Sequence, residues 1–268
     1  MMLLNITEIV GDDGLYRCAK CGKVTRRIVN IPAFGFEKEF KIMCDCQEAE
    51  KAREKELEKF QADMAAIEKL KKLSLIDERL KDASFKNYEA TAENEQAYKI
   101  IMRYVEKFDE MLKNGQGLIF HGLVGTGKSY TAATVANELV NRKYAVVMTS
   151  FVKLIGKMTS FDTDDEEYIA RLNRADLLFI DDLGAERCTD AAIEKVYNIV
   201  DSRYRARKPM MITTNLSMTQ IKYPEDIRYE RIYDRIVEMC YPVRMDGKSR
   251  RKREAARRYD EMRRLVEG

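Results

Sequence analysis

Apolar positions in this chain change their spacing at about residue 84. Beyond it, short continuous apolar runs alternate with stretches of helical period, at 118–121, 145–149, 177–181, 210–214 and 241–245. The first four runs have almost no polar interruption, the pattern of strands covered by helices on both faces. Pro242 places the fifth at a strand start or an edge, because proline donates no ladder hydrogen bond. Tyr130 to Arg142 reads as a helix with apolar Ala133, Val135, Ala136, Leu139 and Val140. Segment 150–176 is mostly helical in pattern, with a break at Asp162-Thr-Asp-Asp165. The predicted fold class is α/β with a five-stranded parallel sheet.

Upstream the pattern differs. Residues 48–82 are charged and free of proline, with Leu57, Phe60, Met64, Ile67, Leu70, Leu73 and Leu80 three and four residues apart or in phase. This predicts an amphipathic helix whose stripe is buried somewhere. It can pack on its own chain or dock a partner helix, and the spacing serves both. Residues 1–47 read as short strands and turns and hold four of the six cysteines. The expected organisation is a small module over 1–47, a helical linker or docking segment over 48–83, and an α/β domain over 84–268.

At 45% hydrophobic residues the chain can bury a core, and at net charge +3 it is no polycation. Nucleic-acid contact would therefore have to come from local basic patches. No run approaches the ~18 apolar residues of a membrane span. The start lacks the basic region of a secretory leader. We expect a cytoplasmic protein with no membrane partner, in which cysteines serve as metal ligands or free thiols.

Gly122-Leu-Val-Gly-Thr-Gly-Lys-Ser129 fits the phosphate-cradling pattern G-x-x-x-x-G-K-[ST]. It sits between the first strand and the helix that opens at Tyr130. Glycines let backbone amides turn inward, and the helix N-terminus adds positive partial charge. Candidate ATP contacts are Gly122, Val124, Gly125, Thr126, Gly127, Lys128, Ser129 and Tyr130. Lys128 would reach the β- and γ-phosphates and Ser129 would ligate Mg²⁺. The strand ending Ile180-Asp181-Asp182 supplies two acids: Asp181 for the Mg²⁺ shell and Asp182 to polarise water. Aspartate is one methylene shorter than the usual glutamate at the second place, so slow turnover is expected. Asn215, after Met210-Met-Ile-Thr-Thr214, can hydrogen-bond a γ-phosphate or the attacking water. Arg228, Arg231 and Arg235 lie in one helical pattern, and each can act on a neighbour's site or form a surface ion pair. His121, the single histidine, reads as a packing residue.

Cys18-x-x-Cys21 and Cys44-x-Cys46 flank a candidate hairpin. Two close pairs can each supply two corners of a tetrahedral Zn²⁺ site, and a module this small needs a staple. Cys188 and Cys240 read as ordinary thiols.

The motifs Phe120 to Ser129, Leu177 to Arg187, Ile212 to Leu216 and Arg231 to Arg235 together resemble the DnaC/DnaI/IstB group of AAA+ ATPases. The likeness covers about residues 84 to 255. It implies an ATP-dependent loader that places a DnaB-type replicative helicase on single-stranded DNA and self-associates as a ring or spiral. It also implies that Arg235 is the arginine finger and Arg251 the sensor-2 arginine. Phe151, Lys153 and Lys157 become candidates for single-strand contact. Only about two dozen residues follow the fifth strand, so a helical lid is expected to be nearly absent. Two other functions stay open: a transposition helper on duplex DNA, and an ATP-gated, zinc-bearing adaptor with little hydrolysis.

Overall fold

The computed structural model describes residues 8–31, 36–75, 77–159, 164–185 and 189–267. The chain divides into two compact units, Met1–Ala65 and Ala66–Gly268.

The first unit holds two antiparallel hairpins. β1 (Glu8–Val10) pairs with β2 (Tyr16–Cys18), and β3 (Arg26–Ile31) pairs with β4 (Phe36–Lys41). The helix α1 (Asp45–Lys71) starts here, and the division between units falls inside it. Apolar burial in the hairpins is slight. Cys18, Cys44 and Thr25 are buried, while Ile9, Val10, Ile28, Phe40 and Met43 are exposed. The hairpins therefore need a staple other than a hydrophobic core.

The second unit runs α2 (Glu78–Lys81), α3 (Glu95–Glu106), α4 (Phe108–Asn114), β5 (Gly117–His121), α5 (Lys128–Asn141), β6 (Val146–Ser150), α6 (Phe151–Met158), α7 (Asp165–Leu172), β7 (Leu177–Leu183) and α8 (Asp190–Arg205). It continues with β8 (Met210–Thr214), α9 (Met218–Lys222), α10 (Glu230–Met239), β9 (Cys240–Arg244) and α11 (Arg250–Glu267). The five strands form one sheet in the order β6-β7-β8-β5-β9, every neighbouring pair parallel. β9 is an edge strand, which accommodates Pro242.

Alternation along the strands builds two cores. Ile119, Val147, Leu178, Ile180 and Ile212 face one side, with Phe151, Leu172, Val196 and Ile236 from the helices. Leu118, Phe120, Val146, Phe179 and Met211 face the other, with Ile101, Phe108, Val135 and Leu139. Both faces are covered, which is why these strands read as unbroken apolar runs. Arg203 is fully buried and donates to Ala175 O at 2.9 Å and Pro209 O at 2.6 Å, tying together the segments that enter β7 and β8.

Two expectations are corrected. The helix expected to run to residue 82 ends at Lys71. The chain then lies along the edge strand β6, where Met148 N donates to Ser74 Oγ at 3.0 Å and Leu75 N donates to Met148 O at 2.9 Å. These bonds satisfy β6 edge groups that a continuing helix would leave open. The stripe splits accordingly. Ile67, Leu70 and Leu73 pack on the first core and Leu80 on the second, while Leu57 and Phe60 are exposed. Second, Phe151 is 0% exposed. Its ring fills the core and offers no face to a nucleobase. Lys153 donates to Leu75 O at 2.5 Å, and Lys157 lies on the same helix, α6.

Of the expected break at 162–165, residues 162 and 163 lie outside the described residues. α7 starts just after it, capped by Asp164, whose carboxylate accepts from Glu166 N and Glu167 N.

Candidate nucleotide site and cysteine cluster

The loop between β5 and α5 needs its glycines for stated reasons. Gly122, Gly125 and Gly127 have φ of 136°, 84° and 97°. A Cβ at Gly122 would sit 2.3 Å from Met245 O, and one at Gly125 would sit 2.1 Å from Ser249 Oγ. Thr126 Oγ1 donates to Leu123 O at 2.9 Å and braces the turn. Lys128 opens α5 and is buried. Its ammonium donates to Gly122 O at 2.9 Å, Leu123 O at 2.8 Å and Asn215 Oδ1 at 2.8 Å. Burial lowers its pKa, Asp182 and Asp181 act to raise it, and Arg251 lowers it further. Lys128, Asn215, Asp181, Asp182 and Arg251 thus share one electrostatic neighbourhood.

Asp181 ends the apolar part of β7. Burial raises its pKa, while hydrogen bonds from Thr213 and Ser129 hold it down. Ser129 and Asp181, the two expected Mg²⁺ ligands, therefore lie near one another. Asp182 has φ 56°, rare for a non-glycine residue, and the β7–β8 register shifts between Ile180 and Leu183. Thr213 supports both acids. Its hydroxyl donates to Asp181 Oδ1 and accepts from Asp182 N at 3.0 Å. This residue was not singled out from the sequence.

Other expected contacts are placed less directly. Val124 is 60% exposed at the loop tip. Tyr130 donates to Asn87 O at 3.3 Å, and its ring lies 6.2 Å from that of Tyr88, on the flank of α5. Tyr88 reaches Thr131 Oγ1 at 3.0 Å. His121 is partly exposed at the end of β5, and burial lowers its pKa. The start of α11 lies over the loop: Arg250 N donates to Gly125 O at 2.8 Å. Glu89 holds that turn in place, accepting from Arg250 at its carbonyl (2.8 Å) and from Arg253 at its carboxylate (2.9 Å). Glu89 carried no signal in the sequence.

Of the three arginines before β9, Arg228 pairs with Asp226 and Asp190, and Arg231 is exposed. Arg235 pairs with Asp201 at 2.7 Å and lies 4.7 Å over the Tyr197 ring. It is held within its own chain, away from the Lys128 neighbourhood.

In the first unit the Sγ atoms of Cys18, Cys21, Cys44 and Cys46 all lie within 4.8 Å of one another. A Zn²⁺ with four thiolates at ~2.3 Å puts its sulfurs roughly 3.8 Å apart, so the set fits that ion. Gly22 (φ 72°) turns the first knuckle, with Gly22 N donating to Cys18 O at 2.8 Å. The second is closed by Gln47 N and Glu48 N donating to Cys44 O. All four cysteines are free of disulfides.

No helix among the described residues is long and apolar enough to cross a membrane.

The family model for IstB-like ATP binding protein matches residues 49–258. The chain is 26% identical over 196 residues to "Replicative helicase loader DnaI" of Bacillus subtilis, covering 68% of this chain and 62% of that one. It is 32% identical over 162 residues to "Replicative helicase loader DnaC" of Escherichia coli K12, covering 58% and 63%. Each match spans less than two thirds of the relative's own length. A crystal structure of DnaI superposes with a TM-score of 0.56 at 25% identity, over 65% of this chain and 96% of the other. Sheet order, phosphate loop and family model agree: the chain belongs to the IstB-like ATP binding protein family and carries the AAA+ core of the DnaC and DnaI loaders.

Proposed function

We propose that this protein is an ATPase that loads a DnaB-type replicative helicase onto single-stranded DNA. The observation that carries the reading is the convergence of Lys128, Ser129, Asp181, Asp182 and Asn215 at the C-terminal ends of adjacent strands β5, β7 and β8. The family's ATP binding and the likeness to two helicase loaders supply the direction.

In this reading the loop amides and Lys128 hold the β- and γ-phosphates, and Ser129 and Asp181 hold Mg²⁺, which neutralises charge on the transferred phosphoryl group. Asp182 orients and deprotonates the attacking water, and Asn215 sets its position. Arg251 supplies positive charge from the α11 side. Arg235 acts across a subunit interface in a ring or spiral assembly, after exchanging Asp201 for a neighbour's γ-phosphate. A single chain, lacking that exchange, would hydrolyse ATP slowly. The cysteine cluster holds structural Zn²⁺ in the 1–47 module, and the exposed Leu57 and Phe60 on α1, within the 48–83 segment, offer a face to the helicase. Residues 84–268 form the motor.

Native mass spectrometry of the protein with a DnaB-type helicase, with and without ATP·Mg²⁺, tests this. A nucleotide-responsive complex with the helicase hexamer is expected. ATP-dependent filaments on duplex DNA without helicase binding would instead indicate a transposition helper.

A further inference from the structure

Basic residues are concentrated where α11 leaves the nucleotide site. Residues 248–258 contain seven lysines and arginines and one acid, net +6; residues 259–267 contain two arginines and three acids, net −1. Every residue from Arg251 to Glu267 is exposed, and the helix buries none of its side chains. Its attachment is confined to the first turn, through Arg250 N on Gly125 O and through Arg250 and Arg253 on Glu89. Solubility alone would be served by charge spread along the helix and of both signs. A one-signed block fixed to the phosphate loop is a different arrangement.

We propose that residues 248–258 bind the phosphodiester backbone of nucleic acid, and that the Glu89 latch couples this binding to nucleotide on the P-loop. The coupling rests on the nucleotide-binding reading above; the nucleic-acid surface does not. The segment spans about 16 Å at 1.5 Å per residue, room for several phosphates. Lys248, Lys252 and Arg258 present the charge, Arg257 pairs with Glu261 at 3.4 Å, and Arg250 and Arg253 are held back by Glu89. The distal half is excluded by its net negative charge. A helix hinged on one turn loses freedom when a polyanion grips it. Because Glu89 holds that turn over the loop, a γ-phosphate meets Arg251 there, adds an anchor on the same turn and removes part of that cost beforehand; a turn released from Glu89 would not present Arg251 to the phosphate. The two ligands therefore favour one another, and linkage requires the same factor in both directions.

The test uses the full chain, a fluorescein-labelled oligo-dT read by anisotropy, and a non-hydrolysable ATP analogue with Mg²⁺ read by calorimetry. Saturating analogue is expected to tighten oligo-dT binding about fivefold or more, and saturating oligo-dT to tighten the analogue equally. Lys252→Glu with Arg258→Glu is expected to weaken oligo-dT about tenfold or more. It should also flatten the salt dependence by about 1.4, at ~0.7 per lost single-strand contact. Glu89→Ala is expected to keep oligo-dT affinity within about twofold while the mutual factor falls to one. A hairpin duplex should bind comparably, since the contacts are to phosphates.

Unchanged oligo-dT binding in the double variant, or binding to anionic vesicles in place of oligonucleotide, overturns the surface. A mutual factor of one in the wild type, or one that survives Glu89→Ala, overturns the coupling. Failure of the wild type to bind the analogue would sink the coupling and the ATPase reading together. The double variant's salt slope would still decide the surface.

Discussion

Thr213→Val removes one hydroxyl from the fully buried centre of the sheet and leaves the shape almost unchanged. Two hydrogen bonds go with it: the one donated to the Asp181 carboxylate and the one accepted from Asp182 N at 3.0 Å. A bond to a charged group contributes about 1.5–3 kcal/mol, and an orphaned amide costs about 1–3 kcal/mol. Valine offers only a methyl in exchange. If about 3 kcal/mol of this falls on the geometry of the two acids during phosphoryl transfer, kcat drops roughly 100-fold. The phosphate loop does not touch Thr213, so KM for ATP should stay within about threefold. Thr213→Ser keeps the hydroxyl and gives up one methyl, about 0.8 kcal/mol of stability, and is expected to restore most of kcat. Steady-state phosphate release and calorimetric ATP binding, with melting curves for all three chains, make the test. A valine variant with near wild-type kcat would refute the positioning role. So would a serine variant as slow as the valine one.

Cys44→Ser should release zinc and loosen the 1–47 module while ATP binding survives, as read by metal analysis and proteolysis; a full equivalent of tightly held zinc would count against the four-thiolate site. Arg235→Ala should leave ATP affinity nearly intact while hydrolysis falls by about 10³-fold, the scale of an arginine finger. Mixing it with Lys128→Ala chains should recover activity, because each chain supplies what the other lacks. No recovery would place Arg235 in a purely intrachain role with Asp201.

The parts of the site that could be read from the sequence are those whose residues are local. The P-loop is one continuous octapeptide, and the acids follow a four-residue apolar run, so spacing was enough to find them. The cysteine pairs are two local pairs, and the fold only had to bring them together. What stayed hidden is made between distant positions. Thr213 meets Asp181 across 32 residues, and Glu89 meets Arg253 across 164. Threonine on a β-strand is also unremarkable by propensity. The helix expected to end at residue 82 shows a second failure. Leu73 and Leu80 are partly buried and in phase with the stripe, yet both lie beyond α1, Leu73 in the turn after it and Leu80 on α2. Periodicity records burial and does not say which backbone delivers it. Phe151 failed for the same reason, since an aromatic beside lysines looks alike on a binding face and on a core.

The shorter acid at position 182 has a structural counterpart. A glutamate on a regular strand would reach farther toward the γ-phosphate than an aspartate. Here the β7–β8 register shifts between Ile180 and Leu183, and Asp182 adopts φ 56°. A left-handed non-glycine residue costs about 1–3 kcal/mol and persists where its surroundings over-determine it. Thr213 accepts its amide, Thr214 Oγ1 donates to Leu183 O at 2.8 Å, and Gly184 follows at φ 90°. The strand thus bends at Asp182, pairs again with β8 at Leu183 and ends before Gly184. Burial lowers the pKa of Lys128, and the Asp182 carboxylate works against that shift without reversing it. The strain is visible without any assumption about catalysis, and it sits on the acid that the ATPase reading needs beside the phosphates.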